Sequence, residues 1–150
     1  MSENKRQYFY EDFENTEFFS QGVDLYRRTS AGPLKIFTVD SQDNPENRDA
    51  FICWVRDHEN YAVILIDWAI KRNILVFDRN DNKVLYQLHD PKDVFASRPN
   101  SWVNIYTKHQ ELDNECFVAV SVDRYHEFIR YRDGKVLKSV DPRGNDPRDF

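Results

Sequence analysis

Glycine is scarce in this chain: four in 150 residues, at Gly22, Gly32, Gly134 and Gly144. They are too dispersed for a glycine-rich phosphate loop, which needs several within one turn so that successive backbone N–H groups face the anion. Cysteine is scarcer still. Cys53 and Cys116 form no Cys-x-x-Cys pair, and each sits in an apolar run (Phe51-Ile52-Cys53-Trp54 and Cys116-Phe117-Val118), as small core residues of a reducing compartment do. No apolar run approaches the ~20 residues that span a bilayer. The first residues, Met1-Ser2-Glu3-Asn4-Lys5-Arg6, have no apolar signal core. Cytoplasmic location and no membrane partner are the expectations.

What is abundant is aromatic and charged. Rings make up 15% of the residues and charged side chains 31%, with a formal net charge of −5. Large rings bury much area each, so one domain spanning 1–150 can build a core without disulfides or metal, and no cofactor is expected. Residues 1–7 and 141–150 read as flexible tails. An acidic balance disfavours nucleic acid, because phosphate backbones reward basic proteins. It suits instead a protein partner with a basic surface, reached by electrostatic steering.

The element pattern predicts an α+β fold, an antiparallel β-meander with one or two short helices. Leu34 to Val39, Ile74 to Asp78 with Lys83 to Leu88, Trp102 to Thr107, Cys116 to Val122, and His126 to Arg132 with Lys135 to Val140 read as strands. Val63-Ile64-Leu65-Ile66 is continuously apolar, as expected of a central strand covered on both faces. The hairpin over residues 79–82 is expected to place Leu75 and Phe77 on one face with Val84 and Tyr86. The Asp133-Gly134 turn is expected to align Ile129, Tyr131, Val136 and Val140. Residues 47–55 fit either a capped helix or a strand. Asp90-Pro91 opens like a short helix running to Phe95, with Asp90 as N-cap and proline at its first position.

Residues that could carry chemistry are few. Asp78-x-Asn80-x-Asn82 matches half a calcium loop, but Lys83 and His89 stand where glycine and the bidentate glutamate belong. His58, His89, His109 and His126 show no metal-ligand spacing. His126 with Asp123 and Cys116 could form a nucleophile–base set, the basis of an alternative reading as a small hydrolase or ligand-binding domain with a pocket there. Asp67 and Lys71 lie near a strand end, as in some metal nucleases, without their second-strand Glu-x-Lys. The better interface candidate is the acidic-aromatic stretch from Tyr8 to Phe19, which holds no basic residue. Tyr8, Tyr10, Glu11, Asp12, Phe13, Glu14 and Glu17 form the expected contact set, with rings for area and carboxylates for orientation.

The ending Phe128-Ile129-Arg130-Tyr131-Arg132-Asp133-Gly134-Lys135-Val136-Leu137-Lys138-Ser139-Val140-Asp141-Pro142 resembles the closing hairpin of small bacterial domains, some of them similar to immunity proteins of polymorphic toxin systems. The resemblance covers about a quarter of the chain and transfers no functional residue. It implies a small, acidic single-domain binder that neutralises a toxin domain by occlusion; a monomer or weak homodimer is the separate expectation for its assembly. A phage or viral accessory protein presenting an acidic surface is a further alternative.

Overall fold

The computed structural model describes residues 17–92, 101–107 and 115–140. Among them, eleven strands form three antiparallel sheets. The first holds β1 (Phe18–Gln21), β2 (Asp24–Thr29) and β3 (Gly32–Thr38). The second holds β4 (Ile52–Asp57), β5 (Tyr61–Ile66), β6 (Ile74–Asp78) and β7 (Lys83–Gln87). The third holds β8 (Trp102–Tyr106), β9 (Cys116–Ser121), β10 (His126–Arg130) and β11 (Val136–Val140). Within each sheet every strand pairs with its chain neighbour, so the molecule is a succession of meanders.

The α+β expectation is therefore corrected to all-β, with no helix among the described residues. Two apparent helix signals have other uses. In the 47–55 segment, the Asn44 side chain accepts from Arg48 N at 2.9 Å and donates to Arg48 O at 2.8 Å. Those bonds close a loop, and the chain enters β4 five residues after Asn47, which holds φ 53°. The Asp90 carboxylate accepts from the backbone N of Arg72, 2.6 Å away, and residues 90–92 are not helical. Val94 and Phe95 lie outside the described residues.

The middle sheet carries the packing. Period-2 alternation along β5 sends Ala62, Ile64 and Ile66 toward the first sheet, where they meet Phe18, Leu25, Leu75 and Phe77. Val63 and Leu65 point the other way, to Ile74, Val76, Trp102, Ile105, Phe117 and Ile129. A strand with both faces in a core must be apolar throughout, and residues 62–66 are all fully buried. Each such side chain contributes about 1.5–3 kcal/mol by leaving water.

β-Bulges decide which faces the hairpins offer. One between Val76 and Phe77 pairs Val76 with Tyr86, so Tyr86 joins the core facing the third sheet and parts from Leu75, Phe77 and Val84. Another, between Phe128 and Ile129, separates Val140 from Ile129 and Tyr131. Val140 sits with Cys116, Val118 and Phe128 on the opposite face, and Val136 is exposed. Both correct the simple alternation expected from sequence. In the β10–β11 turn, Gly134 has φ 75°, and a Cβ there would stand 3.0 Å from the Tyr86 ring. Only glycine fits that contact.

Polar clips fix the layers. Glu17 accepts from Arg27 Nε at 2.8 Å and pairs with Arg79, which also reaches Asp57 at 2.6 Å. That joins the first sheet to the second. Arg72 grips Asp43 through Nε at 3.1 Å and Nη2 at 2.7 Å, tying the loop before β4 to the β5–β6 connection. Buried Asn73 donates to Ile66 O at 3.0 Å and Trp102 O at 2.9 Å, linking the second sheet to the third.

Candidate functional site

Of the contact set expected from sequence, Tyr8, Tyr10, Glu11, Asp12, Phe13 and Glu14 lie outside the described residues. Glu17 is spent on its pairs with Arg27 and Arg79, and its side chain is only 28% exposed. It is a structural clip. Asp78 is a turn residue, accepting from Asn80 N at 2.8 Å and Asp81 N at 3.2 Å. Among the described residues, no cluster of three His, Cys, Asp or Glu side chains could hold a metal ion. No helix among them is long and apolar enough to cross a membrane.

The structure does not assemble Cys116 and His126. Cys116 pairs with Arg130 and His126 with Val120, four residues further along β9. At strand rise that is roughly 13 Å, beyond proton-transfer reach. His126 is buried, its Nδ1 bonds to Arg124 O, and desolvation pulls its pKa below the usual imidazole range. Neither cysteine forms a disulfide. Cys116 is buried, while Cys53 is half-buried and its thiol is pushed up to about 11, mainly by burial and also by Asp67. Thiol reagents at neutral pH should therefore modify neither residue in the native protein within the time that fully labels the urea-unfolded chain. Rapid native labelling of Cys53 would show that its environment is open.

One edge gathers the features of a contact surface. β4 is the terminal strand of the middle sheet and β8 of the third, and Arg56 bridges them by donating from Nε to Ile105 O at 3.1 Å. A bulge at Cys53 shifts the alternation, so that Trp54 falls opposite Leu65 and Arg56 opposite Val63. The Arg56 guanidinium lies 4.6 Å from the centre of the Trp54 ring. Trp68, just past β5, is near enough to act on the Cys53 thiol and so stands beside this strand. Trp68 is 61% exposed and Trp54 37%, unusual values for the largest apolar side chain. Next to them a groove of about 310 Å³ is lined by Val55, Arg56, Asp57, Tyr106 and Thr107. No local sequence pattern marks this surface, because the indoles come from separate elements and only the bulge gives Trp54 its place.

A second constellation is buried beneath the third sheet. Glu127 on β10, with its side chain 6% exposed, meets His89 Nε2 at 2.6 Å and accepts from the Tyr125 hydroxyl at 2.8 Å. Tyr125 also reaches Ser139 Oγ at 3.1 Å, and Trp102 Nε1 donates to His89 O at 2.8 Å. The hydrogen bond to Glu127, opposed by burial, raises the His89 pKa above its usual value. A carboxylate orienting a half-exposed imidazole can support base chemistry. Its clear role here is to fasten the link between the second and third sheets. No protein-family model matches the chain, and no curated protein sequence matches it.

Proposed function

We propose that this domain is a protein-binding module of immunity or inhibitor type that neutralises its partner by steric and electrostatic occlusion. The observation that carries the reading is the two exposed indoles, Trp54 and Trp68, with Arg56 stacked on one of them along β4, the terminal strand of the middle sheet among the described residues. Trp, Tyr and Arg dominate binding hot spots, because rigid rings and a planar guanidinium bury much area at little entropic cost. Asp67 immediately precedes Trp68 in the chain, and the net charge is −5. A partner with a basic surface, of the kind a toxin domain could present, fits that charge. The rings of Tyr8, Tyr10 and Phe13 and the carboxylates of Glu11, Asp12 and Glu14 belong to the same proposal as a further contact element.

Trp68→Ala should change unfolding free energy by less than about 1 kcal/mol, as exposed sites usually do, and Trp54→Ala, whose ring is more covered, by about 1–3 kcal/mol, with both variants still folded. Each should weaken capture of the partner from native-host extract at least about tenfold, measured as the concentration of immobilised domain that retains half of it. Equal retention by wild type and both variants would remove this edge from the interface. Failure of the wild type to retain any protein would count against the binding function itself.

A further inference from the structure

A different cleft, of about 210 Å³, opens at the end of the sandwich where the β4–β5 turn meets the β10–β11 turn. His58, Glu59, Asn60 and Tyr61 line it from one turn, and Glu115, Arg130, Tyr131 and Arg132 from the other sheet. Its back wall is aromatic and already packed. Tyr61 and Tyr131 stack at 5.0 Å with planes 1° apart, His58 lies 4.3 Å from Tyr131, and Phe117 lies 5.3 Å from it. Tyr131 is therefore covered by other rings and offers no platform on which a sugar or a base could stack.

What the cleft offers instead is charge of both signs on a rigid frame. Glu59 and Glu115 supply carboxylates, and Arg130 and Arg132 supply guanidinium groups. Asp133 holds Arg130 through Nε at 3.0 Å and Nη2 at 2.6 Å, leaving Nη1 outside that pair. Both turns are set by backbone bonds: His58 with Tyr61, Gly134 to Arg130 O, and Tyr131 to Glu115 O. The Tyr86 hydroxyl adds a bond to Arg130 O at 3.1 Å. Among the described residues the Tyr131 hydroxyl has no hydrogen-bond partner although it is buried, a state that ordinarily costs about 1–3 kcal/mol.

We propose that this cleft binds a small zwitterion, a free α-amino acid, with its ammonium on the Glu59 and Glu115 carboxylates and its carboxylate on the Arg130 and Arg132 guanidiniums. The two carboxylates exclude phosphates and simple polyanions, and the two arginines exclude polyamines. The volume falls below the roughly 300–1,000 Å³ typical of drug-sized ligands, which suits one amino acid.

Titrating the protein with L-leucine, L-glutamine and L-phenylalanine at millimolar concentrations, followed by amide NMR, tests this. Saturable shifts at Asn60, Tyr61, Tyr131 and Arg132 are expected with at least one of the three. Glu59→Gln and Arg132→Gln, both exposed, should leave the fold intact and weaken that binding about tenfold each. N-acetylation or amidation of the ligand should do the same. Saturation by none of the three amino acids overturns the proposal. Equal binding of the N-acetyl or amide form, or shifts that persist in both variants, also overturns it.

Discussion

Trp102→Ala should destabilise the domain by about 3–5 kcal/mol, much of the stability an ordinary domain possesses. Trp102 opens β8 and is fully buried between the second and third sheets, against Val63, Leu65, Ile74 and Ile129. It is also a polar hub: its indole N–H donates to His89 O, and its carbonyl accepts from Asn73 Nδ2. The alanine variant leaves a cavity and takes the indole donor from His89 O, two costs that add. Trp102→Phe keeps most of the ring volume and loses only the N–H donor, so it should cost about 1–2 kcal/mol. Urea unfolding followed by circular dichroism measures both. A loss under about 1 kcal/mol for the alanine variant would mean that the second and third sheets do not share this core. Trp68→Ala, removing the same side chain at an exposed site, provides the contrast.

The meanders were legible in the sequence because they depend on neighbours. β6 with β7 and β10 with β11 are separated by Asx-rich or Asp-Gly turns and carry β-branched and aromatic runs, signals contained within about 20 residues. The continuous apolar run of β5 also revealed its two-sided burial. Layer order and facing were not legible. The bulges at Val76/Phe77 and Phe128/Ile129 leave no mark on composition, yet each moves a ring or a valine to the other face. The helix expected after Asp90 rested on capping chemistry, and that carboxylate is used by Arg72, eighteen residues earlier. Glu17 reads in the sequence as one carboxylate of the expected contact set. One of its two arginines, Arg79, is 62 positions away, a separation at which no local pattern can tell a clip from an interface. The indole edge was hidden for the same reason, since only the pairing of β4 with β5 brings the elements that carry Trp54 and Trp68 alongside one another.

The His89–Glu127 pair should make stability depend on pH in a direction set by the sign of the His89 shift. Glu127 is buried and interacts with His89 and Tyr125, so His89→Ala withdraws one of the groups that neutralise it. Breaking a fully buried pair typically costs about 3–5 kcal/mol. His89 is 46% exposed, and water screens that side, so about 2–3 kcal/mol is expected near pH 6. The raised pKa means that the native state holds the imidazole proton more tightly than the unfolded chain. The charged pair's contribution is therefore complete below the unfolded value of about 6.5 and is lost as pH rises through the higher folded value. His89→Gln retains a donor without the charge, so the stability gap between it and wild type should be widest at acidic pH and narrow as pH rises above neutrality. In Glu127→Gln the His89 ring signals should titrate closer to 6.5 than in wild type. A stability gap that is flat across this range, or one that widens with rising pH, would show that the imidazolium–carboxylate pair does not hold the two sheets together.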